Sequence, residues 1–361
     1  MPKIIPYHTL FAFCVSVFEK TGMSLSQAET ASRVLLSADL RGVDSHGIAR
    51  LGGYVRLWMA GRMNPAAEPE LIHETPSTAV VDGHQGSGLI TAPFAMEVAI
   101  HKAEKAGTGW VAVQNSSHFG IAGIHAMMAL EKDMIGIAMT NASPLVAPTF
   151  SKSRMLGTNP IAMAIPAGKQ PAFVADFATT TAANGKLEIM QRLKKPIPEG
   201  WVQTESGAAS TDPHILKSGG AILPLGSDRE HSSHKGFMLG SMVDILCGVL
   251  SGANYGKYVP PFPAYVPMPS FMPGKGIGHF LGAMRIDAFR TADEFKMEMD
   301  QWITDMRNAE PIDPDQKVII PGDPERQMEA QRMESGIPII PGVWNDLHEL
   351  GEKLGVEKIP D

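Results

Sequence analysis

The chain has 361 residues, of which 44% are hydrophobic and 19% are charged, as expected for an ordinary globular protein with a full-sized core. Its formal net charge is −7, and its 31 basic residues form no block and no arginine-rich helix. Composition therefore argues against a nucleic-acid-binding or membrane-binding protein, and the length favours two domains.

Cysteine and histidine usage narrows the class further. Cys14 and Cys247 each lie in an apolar run, which predicts buried free thiols and a cytoplasmic location. The apolar run from Leu10 to Phe18 is short and lacks a small-residue cleavage site, so a first helix is favoured over a signal peptide. The 12 histidines never fall at metal-ligand spacing along a helix, so no metal site is predicted.

Residues 1–62 are predicted to be helical. One helix is expected from about Thr9, and a second after Ser24, which can form a capping box with Gln27. The second helix carries apolar residues at helical spacing, namely Ala28, Ala31, Val34, Leu35 and Ala38. This periodicity predicts that one face of the helix packs into a core.

A third helix is predicted to begin at Asp44, which would act as its N-cap. His46, Arg50 and Tyr54 would then line one face at i, i+4 and i+8, with Ser45 in the first turn beside them. The guanidinium could bind a carboxylate with two parallel hydrogen bonds, and the imidazole could exchange a proton with a neighbouring oxygen. The alternative is a solvated helix face with a capping aspartate.

From about residue 70 the pattern changes to short apolar runs bounded by Gly, Asn, Asp or Pro, as in strands of a well-covered sheet. These runs are STAVVDG, GWVAVQNS, IGIAMTNA, NPIAMAIPA and FVADFAT. Helical patterns separate them, which favours a mixed or parallel sheet with helices packed on it. Residues 190–233 form a long irregular excursion. After it, KGFMLGSMVDILCGVLSG is predicted to be a buried helix and GHFLGAMRI a strand.

The two chain ends are thus helical and the middle is α/β. Residues 1–70 together with 290–361 are predicted to form one helical domain, and residues 71–289 an inserted α/β domain that binds nucleotide and substrate.

A second cluster of chemically capable residues lies in NSSHFGIAGIHAMMALEKD. Asn115, Ser116 and Ser117 are predicted to cap a helix with His118 in its first turn, where the helix dipole would keep the imidazole neutral and attract anions. His125 is expected to be structural. The alternative for His118 is an ordinary capping or packed histidine.

Other polar positions carry weaker signals. Lys235 begins the predicted buried helix and could bind a phosphate or carboxylate, or extend its ammonium to solvent. Asp176, Thr179 and Lys186 follow a strand, where α/β sheets bind ligands, although turn chemistry also explains them. The sequence has no GxGxxG after a strand, no Walker A motif and no GxSxG elbow. These residues alone indicate an enzyme acting on a small anion, with His46 and His118 as proton carriers.

Seven segments together resemble, in order, the type-2 malate/L-lactate dehydrogenase family, which includes ureidoglycolate, sulfolactate and diketogulonate enzymes and a cyclic imine reductase. The segments are RGVDSHGIARL, NSSHFGIAG, GTNPIAMAIP, DFATTTAANGK, PIPEGWV, LPLG…HKGF and VIIPGDPE. Ordered multi-residue matches from about Leu35 to Pro338 are more specific than any single motif. The resemblance implies an NAD(P)-dependent oxidoreductase with a non-Rossmann α/β fold. It also implies a homodimer with its active site near the dimer interface.

The resemblance also implies residue roles. His46 would be the proton donor and acceptor, and His118 has that role in some relatives. The implied substrate pocket comprises Ser45, Arg50, Tyr54 and Thr158. The implied cofactor contacts are His118, Ser143, Asn159, Asp176, Phe177, Ala178, Lys186, Lys235 and the turn Gly278, His279 and Phe280. The implied reaction is hydride transfer between C4 of the nicotinamide and C2 of a 2-hydroxy/2-oxo acid whose carboxylate Arg50 holds.

Some positions depart from the family pattern. The chain has TNASP where relatives have TNSSP, so Ala142 replaces a serine that can bond the cofactor, with Ser143 beside it. The cofactor is NAD or NADP, and the 2'-phosphate of NADP would need a cation such as Arg192, Lys194 or Lys195. Two alternatives to the 2-oxo acid dehydrogenase stay open, namely a cyclic imine reductase of the piperideine-2-carboxylate type and a non-catalytic ligand-binding relative.

Overall fold

A helical start, a sheet-rich middle and a helical end follow one another over residues 2–360, which the computed structural model describes. In chain order the elements are β1 (Lys3–Ile5), α1 (Tyr7–Thr21), α2 (Leu25–Leu40), α3 (Leu51–Met59), β2 (Glu70–Glu74), β3 (Thr78–Asp82), α4 (Gly88–Ala106), β4 (Thr108–Ser116), α5 (Ala122–Met127), β5 (Met134–Thr140), β6 (Ile161–Ile165), β7 (Phe173–Phe177), α6 (Asn184–Leu193), β8 (Val202–Gln203), β9 (Ala209–Ser210), β10 (Ala221–Ile222), α7 (Ser233–Asp244), β11 (Ile277–Arg285), α8 (Ala292–Arg307), α9 (Asp323–Ser335), β12 (Ile337–Ile339) and α10 (Pro341–Leu354). A π-helical turn, Ile245–Val249, extends α7.

The central sheet has seven strands in the order β2-β3-β4-β11-β5-β6-β7. Only the β3–β4 pair is parallel, and the other five pairs are antiparallel. In a doubly wound nucleotide-binding fold, by contrast, most neighbouring strands are parallel. The predicted mixed-sheet α/β fold is therefore confirmed. The five predicted apolar runs are β3, β4, β5, β6 and β7. The edge strand β2 was missed because its residues are all exposed and its two apolar residues, Leu71 and Ile72, are adjacent and do not alternate with polar ones.

The helical core draws on both ends of the chain. Strands β1 and β12 pair antiparallel, with Lys3 opposite Ile339, so the predicted helical start also contains a strand. One buried cluster contains apolar residues from α1, α2 and α3 together with β12 and α10. However, Asp300 of α8 accepts the backbone N–H groups of residues 168–170 beside the sheet, at 2.7 to 2.9 Å. The domain limits at residues 70 and 290 remain a prediction.

Capping chemistry explains how α2 begins. The Ser24 hydroxyl accepts the Gln27 N–H at 3.3 Å, and the Gln27 side chain accepts the Ser24 N–H at 3.0 Å. This is the predicted capping box. The predicted apolar face of α2 is buried in the helical core.

Two predicted helix starts are wrong. Helix α3 begins at Leu51 after a 3₁₀ turn, not at Asp44, because Asp44 is held by Arg332 and does not cap the helix. His46 therefore lies in a turn ahead of α3 and does not share a helical face with Arg50 and Tyr54.

Similarly, α5 begins at Ala122, four residues after His118. The Ser117 hydroxyl accepts the Gly88 N–H at the start of α4, at 3.1 Å. The N–H of Gly123, in the first turn of α5, instead donates to Asp176 Oδ2 at 2.7 Å. A carboxylate from β7 thus replaces the predicted local cap.

The predicted buried helix α7 is exposed along one side. Met238, Met242, Ile245 and Val249 are 54 to 58% exposed on α7 and its π-helical extension. Within the excursion at 190–233, the short strands β8, β9 and β10 form a small sheet. Its apolar residues pack with Val146, Leu156 and Leu187 in one buried cluster.

A buried carboxylate supports the turn that carries Ser45 and His46. Asp39, at the end of α2, is 2% exposed, and its Oδ2 accepts the Ile48 N–H at 2.6 Å. A Cβ at Gly47 would lie 2.1 Å from the same oxygen, so only glycine fits there. Arg332, reaching over from α9, donates to the Asp39 carbonyl and to Asp44. The far end of the chain therefore holds this turn in place.

Burial raises the pKa of Asp39 from 3.8 to about 8. The Ile48 N–H and Arg332 oppose that increase, and Asp44 adds to it. The side chain is protonated in the folded protein at neutral pH and ionised in the unfolded chain. Its contribution to the free energy of unfolding is complete below about pH 4 and is lost as the pH rises through about 8.

Replacing Asp39 with asparagine keeps the acceptor for Ile48 and removes the titration. We expect the free energy of unfolding of Asp39→Asn, measured in urea, to fall less than that of the wild type between pH 5 and pH 8. Over these three pH units the wild type can lose up to about 4 kcal/mol more than the variant, because each unit of pH contributes about 1.4 kcal/mol. Asp39→Ala, which lacks the acceptor, should be less stable than Asp39→Asn at both pH values. Equal pH slopes in Asp39→Asn and the wild type would contradict the protonated state.

Candidate active site

The structure brings the two predicted proton carriers together. The rings of His46 and His118 stack with centroids 5.8 Å apart and an interplanar angle of 21°. Ser45 Oγ lies 2.9 Å from His46 Nδ1. His46 arrives from the turn supported by Asp39, and His118 from the irregular segment after β4. Neither imidazole is at a helix N-terminus.

Hydrogen bonds fix the neutral tautomer of His118. Its Nδ1 accepts the Gly120 N–H at 3.2 Å, so that nitrogen carries no proton. Tyr54 OH, 2.6 Å from the same nitrogen, then donates as well. The proton of a neutral His118 therefore lies on Nε2. Tyr54 is fully buried and acts here through His118.

Arg50 lies near the two histidines, and only some of its N–H groups are hydrogen-bonded. Its Nε donates to the Ser45 carbonyl at 2.7 Å, and its Nη2 lies 3.3 Å from Glu188 Oε2. Within residues 2–360, Nη1 makes no hydrogen bond. Two N–H groups at the end of the guanidinium are thus available for a bidentate contact with a carboxylate.

Glu188 is a site residue that the sequence analysis missed. Asn184, one turn earlier in α6, donates to Glu188 Oε1 at 2.9 Å and orients the carboxylate. A Cβ at Gly185 would lie 2.3 Å from Ser45 Cβ, so α6 rests directly on the turn that carries His46. The i, i+4 spacing of Asn184 and Glu188 was visible in the sequence, but the contact with Arg50 joins positions 138 residues apart.

The electrostatics of the site favour neutral imidazoles. Burial, reinforced by the Arg50 charge, lowers the pKa of His46 from 6.5 to about 4. Burial also holds the pKa of His118 well below its usual range, with contributions from His46, Arg50 and His279. His118 is therefore kept neutral as expected, although by desolvation and the nearby Arg50 cation and not by a helix dipole.

The predicted site residues next to β6 and β7 also lie near one another. The Thr179 hydroxyl is 3.2 Å from the Thr158 carbonyl and 3.1 Å from the Asn159 carbonyl. Asn159 accepts the Ala142 N–H at 3.1 Å and donates to the Gly240 carbonyl in α7 at 2.9 Å. These bonds join the TNP segment, the strand that carries Asp176 and the helix that begins near Lys235.

Several predicted cofactor contacts have partners inside the protein. His279 is fully buried in β11, the strand predicted from GHFLGAMRI, and not in the turn that the family resemblance implied. Its nitrogens lie 2.7 Å from Thr140 Oγ1 and 2.8 Å from Ser116 Oγ. Gly278 and Phe280 belong to the same strand. A Cβ at Gly278 would lie 1.7 Å from the Cys247 carbonyl oxygen, so this glycine allows close packing.

Phe280 stacks on Trp110 at 5.4 Å, and Ser143 Oγ accepts the Phe262 N–H at 2.9 Å. The contacts of these two side chains within the protein are enough to explain why they are present. The same holds for Asn159 and His279.

The groups that remain open suit a nicotinamide dinucleotide. Phe177, at the end of β7, is 42% exposed and can stack on a ring. Lys235 is exposed in the first turn of α7, and its ammonium makes no hydrogen bond or ion pair within residues 2–360. Lys186 is exposed and lies 5.8 Å from the Trp201 ring. An aromatic face and two ammonium groups, with the partly buried Ala178 beside Phe177, fit a cofactor that has flat rings and phosphates.

Comparison with known proteins identifies the same family that the sequence motifs resemble. A family model described as malate/L-lactate dehydrogenase matches residues 5–348. The chain is 40% identical over 354 residues to a malate dehydrogenase from Pyrococcus abyssi, which covers 98% of this chain and 95% of that protein. It is 35% identical to an L-sulfolactate dehydrogenase from Methanocaldococcus jannaschii, with 95% and 94% covered.

Solved structures with the same fold include a malate dehydrogenase from Entamoeba histolytica, with a TM-score of 0.91, 32% identity and 99% of each chain covered. A Δ1-piperideine-2-carboxylate reductase from Pseudomonas syringae is more distant, with a TM-score of 0.83 and 25% identity. That match covers 96% of this chain and 99% of the other. No helix within residues 2–360 is long and apolar enough to cross a membrane.

Proposed function

The chain belongs to the malate/L-lactate dehydrogenase family, and we propose that it interconverts a small 2-hydroxy acid and its 2-oxo acid at the site formed by Ser45, His46, Arg50 and His118. The observation that carries this proposal is the half-free guanidinium of Arg50 beside two stacked neutral imidazoles. A nicotinamide cofactor, when bound, supplies or accepts the hydride at its C4.

Arg50 binds the substrate carboxylate. Its Nε is occupied by the Ser45 carbonyl, so the carboxylate approaches the end of the guanidinium and contacts Nη1 and Nη2. The cation also places the neighbouring C2 oxygen close to the imidazoles. Two parallel N–H···O bonds fix the orientation of the acid as well as its charge.

The two histidines have different roles. Nδ1 of His118 is occupied by Gly120 and Tyr54, so His118 presents Nε2–H and donates a hydrogen bond to the C2 oxygen. His46 Nδ1 pairs with Ser45, and its Nε2 is the nitrogen that takes the hydroxyl proton during oxidation and returns it during reduction. With a pKa of about 4, His46 is a base at neutral pH.

Two cofactors, NAD and NADP, and two substrate classes, a 2-oxo acid and a cyclic imine, are the candidates for this site. Arg192, Lys194 and Lys195 are exposed at the end of α6 and offer cations to the 2'-phosphate of NADP. We propose a malate-type or lactate-type acid because the relatives above act on malate and sulfolactate. The similarity to the piperideine-2-carboxylate reductase keeps a cyclic imine as the second candidate, with C=N in place of C=O.

The two buried free cysteines fit a cytoplasmic enzyme.

The first test is the consumption of NADH and NADPH with oxaloacetate, pyruvate, sulfopyruvate and piperideine-2-carboxylate. We expect turnover of a 2-oxo acid by the wild type and a loss of about 10²- to 10⁴-fold in kcat for His46→Gln, the size of a general acid–base contribution. His118→Gln keeps a donor at the position of Nε2–H and should retain far more activity than His118→Ala.

The outcomes separate the candidates. Turnover of the cyclic imine alone would establish the reductase, and cofactor binding without any turnover would favour a non-catalytic relative. Equal losses in His46→Gln and His118→Gln would contradict the division of roles. For oxidation of the hydroxy acid by the wild type, kcat/KM should fall only as the pH drops toward about 4, because His46 must be unprotonated.

Arg50→Lys tests the carboxylate contact. A lysine keeps the charge but cannot form the bidentate pair, so we expect KM for the acid to rise by about tenfold or more, the equivalent of about 1.4 kcal/mol. Steady-state kinetics at saturating cofactor measure this change, and the Kd for the cofactor serves as the control. An unchanged KM would mean that Arg50 does not bind the substrate.

We also propose that the protein is a homodimer that uses the exposed side of α7. Met238, Met242, Ile245 and Val249 form an apolar row at intervals of four, three and four residues, which is one helical face. A continuous exposed row of this kind is unusual on a monomer. In a twofold dimer the same face of each subunit would cover the other.

Met242→Glu should weaken that dimer, because pairing would bury a carboxylate at the contact. We expect light scattering with size-exclusion chromatography to give the mass of two chains for the wild type and a shift toward one chain for the variant. Met297→Glu, at a 66% exposed position on α8, is the matched control and should remain dimeric. A monomeric wild type, or a variant as dimeric as the control, would contradict the proposed interface.

A further inference from the structure

A cavity adjoins the proposed active site at His118. Its volume is about 170 Å³, and it lies between the end of α3, the residues after β4 and the proline-rich segment 260–276. Leu57, Phe262, Met268 and Met272 give it apolar walls, and His118 borders it. Ser45, His46 and Arg50 are not among its lining residues. The cavity therefore reaches the proposed site at His118 and does not extend to the other three residues.

Arg62 fixes the segment that closes this cavity. Its guanidinium donates to the carbonyl of Pro261 and, at 3.2 Å each, to the carbonyls of Ala264 and Val266. The Phe262 N–H donates to Ser143 Oγ. These bonds hold the backbone on both sides of Phe262, so the position of its ring is set by the fold.

The Phe262 ring fills a slot beside the catalytic groups. Its centroid lies 4.8 Å from that of His118 and 5.3 Å from that of Tyr54. The slot exists because residue 53 is glycine, since a Cβ there would lie 2.6 Å from Phe262 Cε1. The ring contacts the His118 imidazole and also lines the cavity, so it lies where the cavity meets the proposed site.

We propose that Phe262 is a specificity-determining residue that separates the substrate pocket from this cavity and so limits the length of the chain beyond C2 of the acid. The proposal rests on the proposed function, because Arg50 must hold the carboxylate for the other end of the substrate to point toward the ring. The apolar walls predict that a substrate released into the cavity extends with methylene groups and not with a second charge.

The test measures kcat/KM for reduction of a homologous series, namely pyruvate, 2-oxobutanoate, 2-oxopentanoate and 2-oxohexanoate. We expect the ratio of 2-oxohexanoate to pyruvate to rise by about tenfold or more in Phe262→Ala, the lower end of the discrimination that one methylene produces in an apolar pocket. The rise should come mainly from a lower KM for the long acids. Met268→Ala enlarges the same cavity without touching the wall, and its ratio should match that of the wild type.

A second measurement does not depend on turnover. Diethyl pyrocarbonate modifies accessible imidazoles, and peptide mass spectrometry locates the modified histidine. His118 should react several-fold faster in Phe262→Ala than in the wild type, while the exposed His101 reacts equally in both. Phe262→Leu, which retains more of the side-chain volume, serves if Phe262→Ala does not fold, and it should shift both readouts in the same direction by less.

The results distinguish the two proposals. If the wild type reduces no member of the series and neither oxaloacetate nor sulfopyruvate, the proposed function fails and the specificity role fails with it, whatever the labelling shows. If the wild type is active but Phe262→Ala and Phe262→Leu keep its chain-length ratio and its His118 labelling rate, the separating wall is refuted and the proposed function stands. Equal gains in Phe262→Ala and Met268→Ala would also refute it, because any enlargement of the cavity would then suffice.

Discussion

The hydrogen bond from the Ile48 N–H to the buried Asp39 carboxyl is the constraint on which the site depends. It holds the turn of residues 44–48 against α2 at a distance that only glycine at position 47 permits. Arg332 secures the same turn from α9, nearly 300 residues away in the sequence. The position of His46 is therefore determined by both ends of the chain, and the neutral state of Asp39 avoids an uncompensated buried charge.

Desolvation and one nearby cation then determine the chemistry. Arg50 is close enough to His46 and His118 to oppose their protonation, and it also offers two N–H groups to an anion. A substrate carboxylate that neutralises Arg50 would relieve part of that opposition, so binding the acid and restoring the basicity of the imidazoles are coupled. Glu188 already pairs with Nη2 of the guanidinium, whereas Nη1 makes no hydrogen bond within residues 2–360.

A second group of buried polar residues, in and beside the central sheet, supports the segment that carries His118. His279 of β11 bonds Thr140 and Ser116 and stacks on Phe119 at 4.7 Å. His125, predicted to be structural, is fully buried and lies 2.8 Å from the Phe119 carbonyl. These contacts fix the chain immediately before and after His118. Several motif residues thus fit as supports for the segment that carries His118 and do not need a ligand of their own.

The sequence by itself determined six of the seven strands of the central sheet, the capping box of α2, the mixed α/β class and most of the chemically capable residues, because periodicity and local capping act over a few positions. It placed helix starts at Asp44 and before His118 wrongly, since Asp44 and Ser117 bond to distant groups and not to their own turns. Tertiary structure alone decided that Glu188 meets Arg50, that His279 is enclosed in the sheet, that α7 leaves an apolar face exposed and that Phe262 reaches His118. Each of these joins residues far apart in sequence, and local patterns carry no information on such distances.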